Sequence, residues 1–484
     1  MKILKDLLFG VSLEAVQGEL GKEVASIAFD SRKIKTNTLF VAQKGEVVDG
    51  HDYIDQAIAA GAHIVVCEDL PSSMQTDLTY VKVADSRLAL AQIAANFYDH
   101  PSAQLSLVGI TGTNGKTTVA TLLFETFTQL GYKTGLISTI RTIIGDQILP
   151  STHTTPDPIQ LQASLQAMVK EGVTHCFMEV SSHGIAQKRI EGLHFRGGVF
   201  TNLSHDHLDY HLTFANYRDV KKAFFDALPK EAFGLVNADD KNALYILQNC
   251  KAHHRKYALK SQADYRAKIL ENQFEGMLLS VDQTELWTQL IGAYNASNIL
   301  ATYGVACELG ISKEELFRVL SLQKNVEGRF EVLRVNQRVV IVDFAHTPDA
   351  LKNVLDTINS IRTKNETLYT LVGCGGDRDP QKRPDMGRIA ARESDRVIFT
   401  SDNPRSESPE EILAHMMAGV AAEDFKKVLK ISAREDAIQA VSRMASEGDV
   451  ILIAGKGHEK YQEINGERIP FDDSQLAQQF FNEI

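Results

Sequence analysis

Glycine, lysine and threonine stand together in the run Gly112-Thr113-Asn114-Gly115-Lys116-Thr117-Thr118, and their joint chemistry is that of a phosphate cradle. Glycines let backbone N–H groups curl around phosphate oxygens, Lys116 brings a point charge to the β- and γ-phosphates, and the Thr117 hydroxyl at a helix start can hold Mg²⁺. The strict Walker spacing is not met: the position five before Gly115 is Ile110, and the nearer glycines are Gly109 and Gly112. The order is nonetheless right. The apolar run Leu105–Ile110 reads as a strand, the turn follows it, and a helical pattern runs from Val119 to Leu130. The segment reads as a mononucleotide triphosphate site, with ATP as the expected nucleotide.

A second constellation pairs Glu179, at the end of the strand-like run His175–Val180, with His205, Asp206, His207 and Asp209. Metallo-β-lactamase-type hydrolases use His-x-His-x-Asp-His, but the final histidine position here is Tyr210. With a phosphate loop upstream, hard Mg²⁺ held by Glu179, one histidine and phosphate oxygens is the better account. On this reading His205 and His211 are ordinary satisfied histidines. A third set of polar clusters lies at 343–349, 373–380, 401–405 and 455–459, each directly after a strand candidate. In open parallel sheets the ligand crevice lies outside such carboxyl ends. No Ser–His–Asp arrangement suggests nucleophilic catalysis.

These groups need a frame of some size, and 484 residues supply about three domains' worth. The expected architecture is α/β in three units. They are a small α/β domain over 1–102, a central phosphate-loop domain with a parallel sheet over 103–327, and a Rossmann-like, doubly wound sheet over 328–484. The last carries strand candidates Val339–Val342, Leu368–Val372, Val397–Thr400 and Val450–Ala454 between helical stretches. A 44% hydrophobic composition excludes disorder, collagen and a disulfide miniprotein. The net charge of −11, with no basic block, argues against a nucleic-acid footprint. Five scattered cysteines read as reduced thiols. The N-terminus lacks a signal-peptide pattern and no run approaches a membrane span, so the expected location is cytoplasmic and the expected state a monomer.

Taken together, several segments resemble the Mur ligase family, the ATP-dependent amide-forming enzymes of peptidoglycan precursor synthesis. The resemblance rests on residues 112–118, Glu179-Val-Ser-Ser-His183, Asn202 through His211, Asn295-Ala-Ser-Asn298, Gly328-Arg-Phe330 and Asp343-Phe-Ala-His346. The order Asp30-Ser-Arg32, Thr154-Thr155, Ser181…Gln187…Arg189 and Gly455-Lys-Gly-His-Glu459 is similar to the subgroup that adds the third peptide residue. Position 153 is His where relatives often have Asn, and position 205 is His where Arg is common.

The resemblance implies that Lys116 and Thr117 bind ATP phosphates and Mg²⁺, with Glu179 and His207 as further Mg²⁺ ligands. It places Asn298, Arg329 and Asp343 on the nucleotide, with Asn295 and His346 nearby. Phe29, Ser31, Thr154, Thr155, Ser181, Gln187 and Arg189 fall to a UDP-muramoyl-dipeptide. Lys221 matches a lysine that carries a carbamate; by its residue type alone it would be a solvated surface side chain, and Lys222 beside it makes the choice depend on register. Asp402-Asn403-Pro404-Arg405 matches a recognition motif for meso-diaminopimelate, whose distal carboxylate a guanidinium can take in a bidentate fork. Arg378, Gly455 and Glu459 match the remaining contacts, Glu459 suiting the distal ammonium. The alternative for Arg405 is a surface residue at a helix entry. Rival readings are a lysine-adding or folylpolyglutamate-type ligase, which Arg405 disfavours, and a nucleotide-dependent switch.

Overall fold

The computed structural model describes residues 1–45 and 48–483; the side chain of Asp209 lies outside the described part. A first sheet is built from β1 (Leu13–Gln17), β2 (Ser26–Ala28), β3 (Thr38–Val41), β4 (Ala62–Cys67) and β5 (Thr79–Val83), in the order β1-β5-β4-β3-β2. All but β1 run parallel. Strand β3 is buried throughout and β4 nearly so, as strands covered on two faces must be. Helix α1 (Ser86–Phe97) lays Ala89, Leu90 and Ile93 over one face, against Leu39, Val41, Ile64 and Val66. Its start is fixed by Asp85, whose side chain accepts from the Leu88 N–H.

The central sheet is organised around β6 (Ser106–Thr111), which feeds through residues 112–115 into α2 (Lys116–Gln129). Its other strands are β7 (Thr134–Ile137), β8 (Arg141–Ile144), β9 (Gln147–Pro150), β10 (His175–Glu179), β11 (Gly197–Phe200), β12 (Phe233–Asn237), β13 (His253–Ala258), β14 (Tyr265–Gln273), β15 (Gly276–Val281) and β16 (Thr284–Thr288). They lie in the order β9-β8-β7-β10-β6-β11-β12-β13-β14-β15-β16. The inner block is parallel, as expected. Both edges carry antiparallel additions, β8–β9 at one end and β15–β16 at the other. Among its helices are α3 (Pro158–Lys170), α4 (Ser182–Ala186), α5 (Phe214–Asp226) and α6 (Ala293–Glu308). Register does the positioning: Glu179 pairs with Ile110 on one side of β6, and Phe200 pairs with Thr111 on the other. The phosphate loop, Glu179 and the 201–211 segment therefore leave the sheet at one level.

The third sheet contains β17 (Glu331–Val335), β18 (Arg338–Asp343), β19 (Leu368–Val372), β20 (Arg396–Phe399), β21 (Val428–Lys430) and β22 (Val450–Ala454), ordered β17-β18-β22-β19-β20-β21. All but β17 are parallel. The four expected strands form within a residue or two of their read positions; β17 and β21 are additions. Helices α7 (Pro348–Ile361) and α8 (Lys382–Glu393) cover one face, and α9 (Arg434–Met444) and α10 (Asp473–Asn482) the other, the two-sided wrapping of a doubly wound sheet. Among the described residues no helix is long and apolar enough to cross a membrane.

Candidate active site

Two glycines let the phosphate loop close. Gly115 has φ +87° and a side chain there would meet Asn298 Oδ1, while a Cβ at Gly112 would strike the Thr201 hydroxyl. The loop is held from the strand next door: Thr113 N donates to Asn202 O (2.9 Å), Asn114 N to Asn202 Oδ1 (2.9 Å), and Thr201 Oγ1 to Asn114 O (2.6 Å). A frame fixed by its own backbone keeps the free N–H groups at the start of α2 aimed outward, where anions bind.

Lys116 Nζ folds onto the carbonyls of Gly112 (2.9 Å) and Thr113 (2.7 Å). Lys221 Nζ reaches the same Gly112 carbonyl (2.9 Å). Two ammonium groups thus converge on one oxygen, and the hydrogen bonds of both run to neutral oxygens. Burial, aggravated for Lys221 by the neighbouring Lys116 charge, pushes both below the usual ammonium range, Lys221 well below. The reading of Lys221 as a solvated surface residue is corrected: it is 1% exposed. The cause is helical spacing, because Tyr217, Phe224 and Phe225 form the buried stripe of α5 and position 221 lies on it. Lys222 is also buried, but it turns to Asp226 at 2.6 Å, which settles the register.

Glu179 is fully buried, and its carboxylate accepts from Thr139 N (2.7 Å) and Thr139 Oγ1 (3.1 Å). His207 sits at φ +54°, beside Asp206 and edge-on to the His183 ring at 5.0 Å. Partial burial, with the Lys116, His183 and Lys221 charges, holds its imidazole below the ordinary range despite the opposing Asp206 carboxylate, which favours the neutral ring that can ligate. His205 stacks on Phe214 instead. Among the described residues no three His, Cys, Asp or Glu side chains gather into a metal site. Glu179, His207 and the Thr117 hydroxyl are nevertheless a donor set that fits Mg²⁺, an ion usually held through one or two carboxylates with phosphate oxygens and water completing its shell.

The third unit reaches into this site. Arg329 is half-buried, donates to Thr117 Oγ1 (3.3 Å) and lies over the Phe344 ring at 4.5 Å. Burial pulls its pKa down while the carboxylates of Asp343, Glu179 and Glu459 oppose the fall, so one guanidinium feels acids from both units. Its Nε and His458 Nδ1 are buried without a hydrogen-bond partner among the described residues, the mark of a ligand's place. Asp343 accepts from Phe330 N (2.6 Å), and burial raises its carboxyl to about 6. Asn298 lies one helical turn from Asn295, to whose Oδ1 it donates (3.2 Å). His346 donates from Nδ1 to the Phe344 carbonyl (2.8 Å), and Lys382 donates to the His346 carbonyl (3.0 Å). Asp349, at the start of α7, accepts from Asn114 of the phosphate loop (3.2 Å) and from Ser204 (3.0 Å).

Between the first two units lies a cleft of about 470 Å³. Phe29, Gln187 and Arg189 line it, with His153, Lys44 and Arg87. Arg189 is anchored on Thr155 O (2.7 Å) and on Gln187 Oε1 (2.6 Å). Thr154 faces Thr139 at 3.0 Å, Thr155 donates to Glu179 O (2.8 Å), and Ser181 caps α4 by accepting from Gly184 N (3.0 Å). These three stand between the cleft and Glu179. Ser31 lies apart from the cleft wall, its hydroxyl 3.4 Å from Gln56 Oε1. Lys44 and Arg87 escaped sequence reasoning, since single cations far apart in the chain carry no local signal.

On the opposite rim, Arg405 is 19% exposed at its side chain and sits at φ +52°. It donates to Gly376 O (2.7 Å) and lies 3.4 Å from Glu463, so the surface alternative for it is set aside. Arg378 is exposed, across Gly375 from Arg405. Asn403 donates to Glu459 Oε2 (2.8 Å), and the fully buried Lys456 joins both, at 2.9 Å from Asn403 Oδ1 and 3.2 Å from Glu459. Asp402 is buried against Gly455, whose N–H donates to Asp343 O (3.0 Å). Pro404 accepts from Glu407 N (3.1 Å). Lys456 was not singled out from sequence, although it lies inside the quoted 455–459 cluster.

Comparison with known proteins agrees with this geometry. Residues 110–306 match the Mur ligase middle domain, 328–457 the Mur ligase glutamate ligase domain, and 23–98 the Mur ligase family catalytic domain. Proteins from Phocaeicola vulgatus and Cytophaga hutchinsonii, both named UDP-N-acetylmuramoyl-L-alanyl-D-glutamate–2,6-diaminopimelate ligase, are 50% identical over 479 and 481 residues, covering 99% of each chain. A solved structure bearing the same name shares 30% identity at TM-score 0.71, over 100% of this chain and 99% of that one. A MurF ligase from Thermotoga maritima in complex with ADP, 17% identical at TM-score 0.63 over 95% and 97% of the two chains, shares the fold.

Proposed function

This chain belongs to the Mur ligase family, and on that premise we propose that it joins meso-diaminopimelate to UDP-N-acetylmuramoyl-L-alanyl-D-glutamate using ATP. The reading is supported above all by Arg329, a guanidinium of the third unit that bonds Thr117 of the phosphate loop and feels Glu179, Asp343 and Glu459, so that acids of both units bear on one side chain beside that loop. The units keep the boundaries 1–102, 103–327 and 328–484, and the chain works as a cytoplasmic monomer on soluble substrates.

A carboxylate is a poor electrophile. Its oxygen attacks the γ-phosphorus of ATP, the bond to ADP breaks, and an acyl phosphate forms. The amine of diaminopimelate then attacks the acyl carbon, orthophosphate leaves with the bonding electrons, and the nitrogen sheds its proton. The protein's part is charge and position. Lys116 leaves its two carbonyls to follow the transferring phosphoryl group. Gly112, Thr113, Asn114, Gly115, Thr117 and Thr118 present the loop's N–H groups and hydroxyls, while Asn298, Arg329 and Asp343 hold the rest of the nucleotide. Thr117, Glu179 and His207 would hold Mg²⁺, which supplies neutralisation of phosphate charge when bound. The cations lining the first cleft, Lys44, Arg87 and Arg189, suit a diphosphate-linked sugar, with Phe29 and Gln187 on the same wall; Thr154, Thr155 and Ser181 would meet its peptide end, and Ser31, off the wall, would have to be reached by another part of the substrate. Arg378, Asp402, Asn403, Pro404, Arg405, Gly455 and Glu459 receive the diamino acid.

Lys221 enters this mechanism as an anion. Burial and the Lys116 charge make its ammonium easier to deprotonate; the amine so formed adds to CO₂ to give a carbamate with loss of a second proton, and the product would place a negative charge beside Lys116. Lys221→Ala is expected to lower turnover by about 100-fold, and millimolar formate or acetate to restore part of it. No restoration at any carboxylate concentration would show that the lost group was not acting as an anion.

The decisive experiment supplies ATP, Mg²⁺ and the UDP-linked dipeptide, then diaminopimelate or L-lysine separately, and follows ADP and amide. Diaminopimelate should react at least about 100-fold more efficiently than lysine, because only its distal carboxylate can take a charge-assisted fork from the half-buried Arg405 guanidinium. Equal efficiency overturns the choice of amino acid. No amide with either would turn the reading toward a nucleotide-dependent switch.

A further inference from the structure

The diamino-acid loops leave two strands that are not neighbours, since β19 lies between β20 and β22. Something must set the distance between residues 401–405 and 455–459. Below both loops lies Arg434, the first residue of α9 and fully buried. Its Nε and Nη2 form a bidentate fork on Asp473, itself fully buried at the start of α10, with both bonds at 2.7 Å. The same guanidinium has donors to spare. Nη2 also donates to Ala454 O (3.0 Å), the last residue of β22, and Nη1 to Ser401 O (3.4 Å), two residues after the end of β20. The fork therefore spans from the end of one strand to the end of the other.

We propose that Arg434 is a positioning residue for the diamino-acid site, its rigid planar guanidinium fixing the separation of the 401–405 and 455–459 loops so that Arg405, Asn403 and Glu459 face one substrate. Asp473 orients the fork, and the carbonyls of Ser401 and Ala454 take their places from it. Above this layer Lys456 ties Asn403 to Glu459 a second time, so the two loops are joined at two levels and move as one. A lysine at 434 has the charge but not the fork; a compact ammonium cannot hold a bidentate carboxylate and two separated carbonyls together. The argument rests on the amino-acid reading proposed above.

The test compares three variants of the full chain. Arg434→Lys keeps the charge, and Arg434→Met with Asp473→Leu removes the whole pair without stranding a buried ion, an exchange that buried pairs commonly tolerate. The control is Arg338→Met. Arg338 is likewise a buried guanidinium bonded to backbone carbonyls, those of Ala445 and Asn336 at 3.0 Å, but it lies at the opposite, amino end of the sheet. Both Arg434 variants should raise KM for diaminopimelate about tenfold, with KM for ATP within about twofold. Arg338→Met should lower the melting temperature and leave KM for diaminopimelate unmoved. Amide hydrogen exchange over 401–405 and 455–459, which needs no substrate, should accelerate about tenfold in the Arg434 variants and not in the control. Unchanged exchange in those loops overturns the proposal even if diaminopimelate proves not to be the substrate. So does a KM effect of equal size in Arg338→Met, or loss of fold in both Arg434 variants, since either assigns the pair to stability alone. A wild-type chain that makes no amide with diaminopimelate, yet shows the exchange change, rejects the amino-acid reading and leaves the positioning role standing.

Discussion

Lys116→Ala is expected to cut ADP release by about 1,000-fold or more, the cost of removing a preorganised charge from a phosphoryl transition state. The side chain is half-buried, and in the resting loop it is spent on the carbonyls of Gly112 and Thr113. Neither carbonyl needs a cation, so these bonds hold the lysine ready and contribute little that the fold requires. Removing it also relieves the crowding of two ammonium groups at Gly112 O, and the variant should melt within a few degrees of the parent. The measurement is coupled ADP production under saturating substrates, beside a thermal melt. Turnover retained in a folded variant would remove the phosphate loop from the mechanism.

Arg405→Ala is expected to raise KM for diaminopimelate by about 10- to 100-fold, which corresponds to about 1.5–3 kcal/mol for a charged hydrogen-bonded pair, and to leave KM for ATP nearly unchanged. The left-handed backbone at 405 is set by partners that the substitution keeps, the bonds from Arg405 N to Glu463 O (3.0 Å) and from Asn465 N to Arg405 O (2.8 Å). Those hold the loop while the guanidinium is removed. Arg405→Lys should recover only part of the loss, because one ammonium cannot grip a carboxylate with two parallel bonds. Titration of rate against each substrate in turn separates the possibilities. A KM for diaminopimelate equal to the parent's takes Arg405 out of recognition, whereas a parallel rise in KM for ATP assigns it to closure of the cleft.

Much of the frame was legible because it is local. The strands of the third unit are apolar runs of five or so residues ending in polar turns, and they form where that pattern stands. Helix α2 begins three residues before the read start at Val119, because Lys116, Thr117 and Thr118 make its first turn once Gly115 has reversed the chain. What escaped depends on partners distant in sequence. The edge strands β15, β16 and β17 have ordinary sequences that pairing, not pattern, makes into sheet. Lys221 carried a usable signal that was passed over: four residues after Tyr217 and three before Phe224, it stands on an apolar stripe, where any side chain is drawn inside. Lys44, Arg87 and Arg434 carried none, since their worth lies in which loops meet around them. The phosphate loop, Glu179 and Arg405 came from motif chemistry and resemblance; their surroundings came only from the fold.

The Asp349 carboxylate, sharing hydrogen bonds with Asn114 and Ser204, has an effect on timing. An acid offered by one unit to the phosphate-holding turn of another behaves as a clasp that negative charge weakens. Nucleotide arriving at the turn repels that carboxylate even as it attracts Arg329 from the same side. Loading the triphosphate is therefore expected to loosen the tie through Asp349 and to favour the one through Arg329.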